Sequence, residues 1–103
     1  MNLEEFMRSL GDSIDVIDVD DMMVIFQKDK IDIDSEITLH EGVQNEDGWL
    51  TTNPITLNGI KYQYLIEVNE AKEFLSPWLR SLPSRPSDRE IAQRLFYYAL
   101  NDS

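Results

Sequence analysis

The chain has 103 residues, 42% of them hydrophobic and 10% aromatic, and its 20 acidic against 9 basic residues set the net charge at −11. A protein this negative cannot hold nucleic-acid phosphates through a general basic surface, and anionic lipid repels it, whereas its apolar content excludes disorder by composition. The absence of Cys removes disulfides, thiolate nucleophiles and Cys-ligated zinc.

One small domain over residues 1–103 is expected. The N-terminus lacks the basic and apolar regions of a secretion signal and no apolar run approaches a membrane span, which predicts a soluble cytoplasmic protein.

Leu3, Phe6, Met7 and Leu10 have the i, i+3, i+4, i+7 spacing of an amphipathic helix, with Asn2 as N-cap and Gly11 just past the end. Ile14–Val19 and Met22–Gln27 are rich in β-branched and other apolar residues and read as strands, with Asp20-Asp21 as a turn between them. The alternation slips between Val16 and Ile17, as at a bulge. Met22–Phe26 is apolar on both faces, so it is either a central strand covered on both sides or a strand whose outer face meets a partner.

Residues 31–40 form the most regular alternation: Ile31, Ile33, Ile37 and Leu39 against Asp32, Asp34, Glu36, Thr38 and His40. A strand there would carry a row of carboxylates on one face. Gly42 and Asn45-Glu46-Asp47-Gly48 mark a loop before the short apolar segment Trp49–Thr52.

Asn58-Gly59 supplies the two positive-φ positions of a type I′ turn between Ile55–Leu57 and a strand running to Val68. On that strand Ile60, Tyr62, Tyr64, Ile66 and Val68 should share one face, opposite Lys61, Gln63, Leu65 and Glu67. Asn69 can cap a helix with Ala71, Phe74 and Leu75, which Pro77 should kink or end. After Pro83 and Pro86, Ser87-Asp88-Arg89-Glu90 fits a capping box opening a terminal helix with Ile91, Ala92, Leu95, Phe96, Ala99 and Leu100 as its stripe. The order predicts an α+β domain: an antiparallel meander of four to five strands, a short N-terminal helix, and two C-terminal helices packed on one sheet face.

The charge is divided unequally. Residues 1–50 hold 14 acids and 3 bases, and residues 51–103 hold 6 of each, so the whole net charge belongs to the first half. Such acids either solvate turns and a sheet face or form a patch for a basic partner.

Catalytic readings are weak. Asp32, Asp34 and Glu36 would stand about 6.6–7 Å apart on a strand, within the carboxylate range of glycoside hydrolysis. A catalytic pair, however, normally comes from different elements around a cleft. The triplets Asp18, Asp20, Asp21 and Asp29, Asp32, Asp34 lack the calcium-loop pattern of Gly at position six and Glu at twelve. His40 is the sole His, no nucleophile elbow accompanies a Ser, and the four glycines are isolated turn positions. Arg80-Ser81-Leu82-Pro83-Ser84-Arg85-Pro86 matches a loose Pro-x-x-Pro pattern, but the prolines more simply set the angle between two helices. No catalytic residue, metal or cofactor is therefore expected.

Two binding readings remain. The first is an acidic inhibitor or antagonist, of the DNA-mimic, anti-restriction, anti-CRISPR or toxin-immunity type, directed at a basic nucleic-acid-binding protein or nuclease and without direct nucleic-acid contact. Its partner-binding residues would be Asp15, Asp18, Asp20, Asp32, Asp34 and Glu36, joined by Arg94 and Tyr97, types enriched in interface hot spots. The second is an accessory module or homodimer that docks through Met23, Ile25, Trp78, Arg94 and Tyr97, with the acids serving solubility.

Overall fold

The computed structural model describes residues 1–10 and 23–101; the expected strand 14–19, the Asp20-Asp21 turn and Gly11 lie outside the described residues. The described elements are α1 (Leu3–Leu10), β1 (Met23–Lys28), β2 (Ile37–Glu41), β3 (Ile55–Leu57), β4 (Ile60–Glu67), α2 (Val68–Ser81) and α3 (Asp88–Asn101). The α+β class stands, with a four-stranded antiparallel sheet, an N-terminal helix and two C-terminal helices contacting the sheet. The strand order is β2-β1-β4-β3, so the sheet is not a meander. Two hairpins lie side by side through β1 and β4, and the segment between β2 and β3 crosses from one edge of the sheet to the other.

Strand β1 takes the first of the two forms that its two-sided apolarity allows, a covered central strand. Val24, Ile25, Phe26 and Gln27 are all fully buried. Ile25 belongs to the main core with Leu3, Phe6 and Met7 of α1, Leu75 of α2 and Ile91 and Leu95 of α3. Val24 and Phe26 fall outside that cluster, as alternation places them on the other face, and the Phe26 ring meets Tyr64 edge-on at 6.2 Å.

Between β1 and β4 the pairing jumps from Ile25↔Ile66 to Phe26↔Tyr64, so a bulge takes up Leu65. Leu65 and Ile66 are consequently both buried. Leu65 therefore leaves the outward face that strict alternation gave it, and Val68 is the first residue of α2, not the last of the strand. The Asn58-Gly59 turn forms as expected, with φ of 52° and 80°. The Tyr64 hydroxyl is pushed up to about 12, by burial first and then by the charges of Glu67 and Glu70. Burial, with Glu70 second, also raises the Glu67 carboxyl.

The expected strand over 31–36 does not form. Antiparallel pairing sets Gln27 opposite Ile37 and Met23 opposite Glu41, so the chain must reverse within residues 28–36. Asp29 adopts a positive φ of 62°. The Asp32 carboxylate accepts the Asp34 amide at 2.9 Å and the Asp32 carbonyl accepts the Ser35 amide at 3.1 Å, forming a turn. Aspartate side chains compete with a sheet ladder for backbone donors in this way. Buried Gln27 secures the turn from below: its Nε2 donates to the Asp32 carbonyl at 2.7 Å and its Oε1 accepts the Asp32 amide at 3.2 Å. Ile31 lies beside Leu100 of α3 and also beside Tyr64 and Leu65 of β4, and Ile33 lies beside Phe96 and Tyr97 of α3.

The N-termini of α1 and α3 follow their side chains, whereas α2 starts after Glu67 with no side-chain cap and Asn69 lies inside it. Asn2 and Glu5 exchange reciprocal capping bonds at 2.9 and 3.1 Å, and Ser87 Oγ accepts the Glu90 amide at 3.2 Å. Helix α2 starts one residue before Asn69 and runs through Pro77 to Ser81. Pro77 deprives the Glu73 carbonyl of its helical donor, but Leu75 is fully buried before it and Trp78 and Leu79 pack on the core after it. That apolar contact on both sides of the proline keeps the helix continuous.

Ion pairs join α1 to α3. Arg8 reaches Glu4 at 3.5 Å and Asp88 at 3.2 Å, Arg85 reaches Asp88 at 2.7 Å, and Arg89 reaches Glu4 and Asp34. The hydrogen bond from Arg85, and then that from Arg8, holds the Asp88 carboxyl below the usual aspartate range.

Two outcomes are expected. Gln27→Leu removes the side-chain partner of the Asp32 amide and of the Asp32 carbonyl, which keeps only the Ser35 amide, and should lower stability by about 1–3 kcal/mol in chemical denaturation; an unchanged midpoint would show that the turn holds itself. Because Asp88 has a folded pKa below its unfolded one, its contribution is present above the ordinary aspartate value and disappears as pH falls through that value to the lowered one. The melting temperature should drop across that acid window, and Asp88→Asn should lower it at neutral pH while flattening that part of the profile.

Candidate functional site

The stretch from residue 31 to residue 60 contains six acids and no Lys or Arg. The fold divides these acids into two sets. Asp32, Asp34 and Glu36 belong to the β1–β2 connection, and the regular carboxylate row expected of them is absent because residues 32–35 turn. Asp34 is held by Arg89 at 2.5 Å, while Glu36 lies 3.7 Å from both Lys28 and the N-terminal amine. That hydrogen bond to Asp34 is the chief cause that raises the Arg89 guanidinium further above its already high ordinary value. The three therefore do not stand in a regular row, and local cations offset the charge of Asp34 and Glu36. Asp15, Asp18 and Asp20 lie outside the described residues.

Glu41, Glu46 and Asp47 form the second set, at the end of β2 and in the 42–54 excursion. All three are exposed. Among the described residues no ion pair reaches them. His40, also exposed, donates from Nδ1 to the Glu41 carbonyl at 2.9 Å and thereby presents its other ring nitrogen to solvent.

The excursion is tightly hydrogen-bonded although it carries little regular structure. Asn45 Oδ1 accepts the amides of Asp47 and Trp49 at 2.9 and 3.0 Å, and the Asn45 carbonyl accepts Gly48 N–H at 3.0 Å. The Asn45 amide donates to the Trp49 carbonyl at 2.9 Å, and Gln44 Nε2 donates to the Gly48 carbonyl at 2.9 Å. At the base, Thr51 returns both its amide and its hydroxyl to the Val43 carbonyl at 2.7 and 3.0 Å. Gly48 sits at φ 85°, a conformation in which a side chain is strained, and closes the tip. The residue after it, Trp49, is 72% exposed. Sequence reasoning placed Trp49 in an apolar segment; the available signal was a large aromatic directly behind an Asn-Glu-Asp-Gly turn.

Arg94 and Tyr97 are separated from both acidic sets in role. The Arg94 guanidinium lies 4.4 Å from the Trp78 ring centroid and 5.7 Å from that of Phe74. Phe74 stacks on Tyr98 at 3.9 Å, and the Tyr98 hydroxyl donates to Glu70 at 3.4 Å. This ladder fastens α2 to α3 and engages Arg94 internally. Tyr97 is 64% exposed and, with Ile33, Gln93 and Phe96, lines a recess of about 110 Å³. A second recess of about 230 Å³ is lined by Ile31, Thr52, Tyr64, Leu65, Ala99 and Leu100. Ile25 is fully buried and Met23 and Trp78 pack on the core, so the apolar surface expected around them does not exist as drawn.

Among the described residues no helix is long and apolar enough to cross a membrane, and no group of three or more His, Asp or Glu is placed to hold a metal ion. The chemistry on offer at the 41–49 end is that of unpaired carboxylates beside an exposed indole on a fixed loop. Comparison with protein-family models, with curated proteins and with solved structures finds no match to this chain.

Proposed function

We propose that the protein is a non-enzymatic acidic binding protein that engages a basic macromolecule, as an inhibitor or antagonist of a nucleic-acid-binding protein or nuclease. The observation that carries this reading is the contrast between the two ends of the acidic half. Around α1 and α3 the carboxylates of Glu4, Asp34 and Asp88 are matched by arginines; at Glu41, Glu46 and Asp47 they are exposed and unmatched among the described residues, within thirty residues that hold no Lys or Arg. Burying such charge against another acidic surface is costly, whereas a basic surface attracts it at long range and speeds association. The partner-binding surface is thus moved from the Asp32, Asp34, Glu36 row to the 41–49 end, while Asp15, Asp18 and Asp20 keep their candidacy on sequence grounds.

A second reading, docking through the more neutral half, is favoured by the exposed Ile31, Tyr97 and Leu100 beside the two recesses on α3. A second copy on that seam would bring together two chains of charge −11, and its assembly should tighten with added salt. The antagonist reading requires the opposite response.

The test is affinity capture at low salt followed by titration of any retrieved nucleic-acid enzyme. Stoichiometric addition should suppress that enzyme's activity, and binding should weaken steeply towards physiological salt. Glu46→Lys with Asp47→Lys should weaken it on the order of tenfold or more. Retrieval of no such enzyme, or affinity indifferent to both salt and charge reversal, would sink the proposal.

A further inference from the structure

We infer that Trp49 is a docking anchor for an arginine side chain of the basic partner, taken between the indole face and the carboxylates of Glu46 and Asp47. This rests on the reading of the 41–49 end as the partner surface and specifies what that surface recognises.

Three observations converge on the indole. Among the described residues Trp49 is the most exposed of the large hydrophobic side chains, at 72%, although Trp has the most apolar area to lose by exposure. Its own backbone is held on both sides, with Asn45 Oδ1 accepting its amide and the Asn45 amide donating to its carbonyl. A loop already ordered in this way loses little entropy on binding, which is what an anchor residue needs. The loop's charges, Glu46 and Asp47, are both negative, so a cation reaching the ring meets attraction from the π face and from the carboxylates together.

The molecule contains its own control for this geometry. Its other tryptophan, Trp78, is covered by the Arg94 guanidinium at 4.4 Å. Among the described residues no Arg or Lys covers Trp49. Arginine fits better than lysine because a planar guanidinium can stack on the ring while its edge donates paired N–H groups to a carboxylate. Trp and Arg are also the residue types that most often dominate interface energetics, which suits a Trp placed here on an otherwise polar tip.

The experiment titrates the intact protein with an octa-arginine peptide and with an octa-lysine peptide, following tryptophan fluorescence and peptide anisotropy. Octa-arginine should alter the Trp49 emission, a response missing in Trp49→Phe. Trp49→Ala, at an exposed position that leaves the core untouched, should weaken octa-arginine binding about threefold to fivefold and octa-lysine binding less. Wild-type octa-arginine affinity in Trp49→Ala overturns the inference, as does an equal loss for the two peptides, which removes the preference for guanidinium. If Trp49→Ala is silent while Glu46→Lys with Asp47→Lys weakens binding, the anchor falls and the acidic surface survives; if both are silent, the surface falls with it.

Discussion

Strand β1 has no face that tolerates water. Its apolar run Val24–Phe26 and the amide of Gln27 must all be covered, and a single sheet face cannot do that. Hydrogen bonding to β2 on one side and β4 on the other satisfies its backbone, while α1, α2 and α3 gather over Ile25 and the alternate residues Val24 and Phe26 bury on the opposite face. The central position of β1 then sets the rest of the topology. With β4 occupying its second edge, β3 must lie beyond β4, and the chain leaving β2 has to travel from one margin of the sheet to the other. The 42–54 excursion that carries Glu46, Asp47 and Trp49 is the product of that crossing.

The electrostatics follow from the same arrangement. Docking α1 against α3 brings Glu4 to Arg89 and Arg8 to Asp88, and the reversal between β1 and β2 brings Asp34 to Arg89. Each such pair is half-exposed and contributes modestly, but together they place positive charge beside the acids that precede Ile37. The excursion lies outside this exchange. Its carboxylates remain unmatched among the described residues because no basic residue is available in its own stretch of chain. A small acidic protein thus becomes electrically asymmetric in space along a different line from the one that divides its sequence.

Local signals with a local cause were legible in the sequence. The Asn2 cap, the Ser87 cap and the Asn58-Gly59 turn each depend on a side chain or a φ angle within a few residues, and all three form. The misreadings have non-local causes. Ile31, Asp32, Ile33 and Asp34 alternate as a strand would, but the chain turns there, so Ile31 lies between Leu100 and the β4 residues Tyr64 and Leu65, and Ile33 lies beside Phe96 and Tyr97. Pro77 marks a helix end by its own chemistry, and only the packing of Trp78 and Leu79 beyond it carries the helix on. Leu65 changes face because a bulge against β1 absorbs it, which no pattern within β4 announces.

The candidate site divides in the same way. Composition and periodicity alone determined that this is an acidic α+β protein, with its charge in the first fifty residues and an apolar strand that must be covered on both faces, whether by its own fold or by a partner. Which carboxylates remain unpaired, and that Trp49 stands in solvent while Trp78 lies beneath a guanidinium, were decided by the tertiary structure. The physical reason is range: propensity, capping and turn chemistry act over a few residues, whereas ion pairing and exposure depend on what the fold brings together from positions as distant as Asp34 and Arg89.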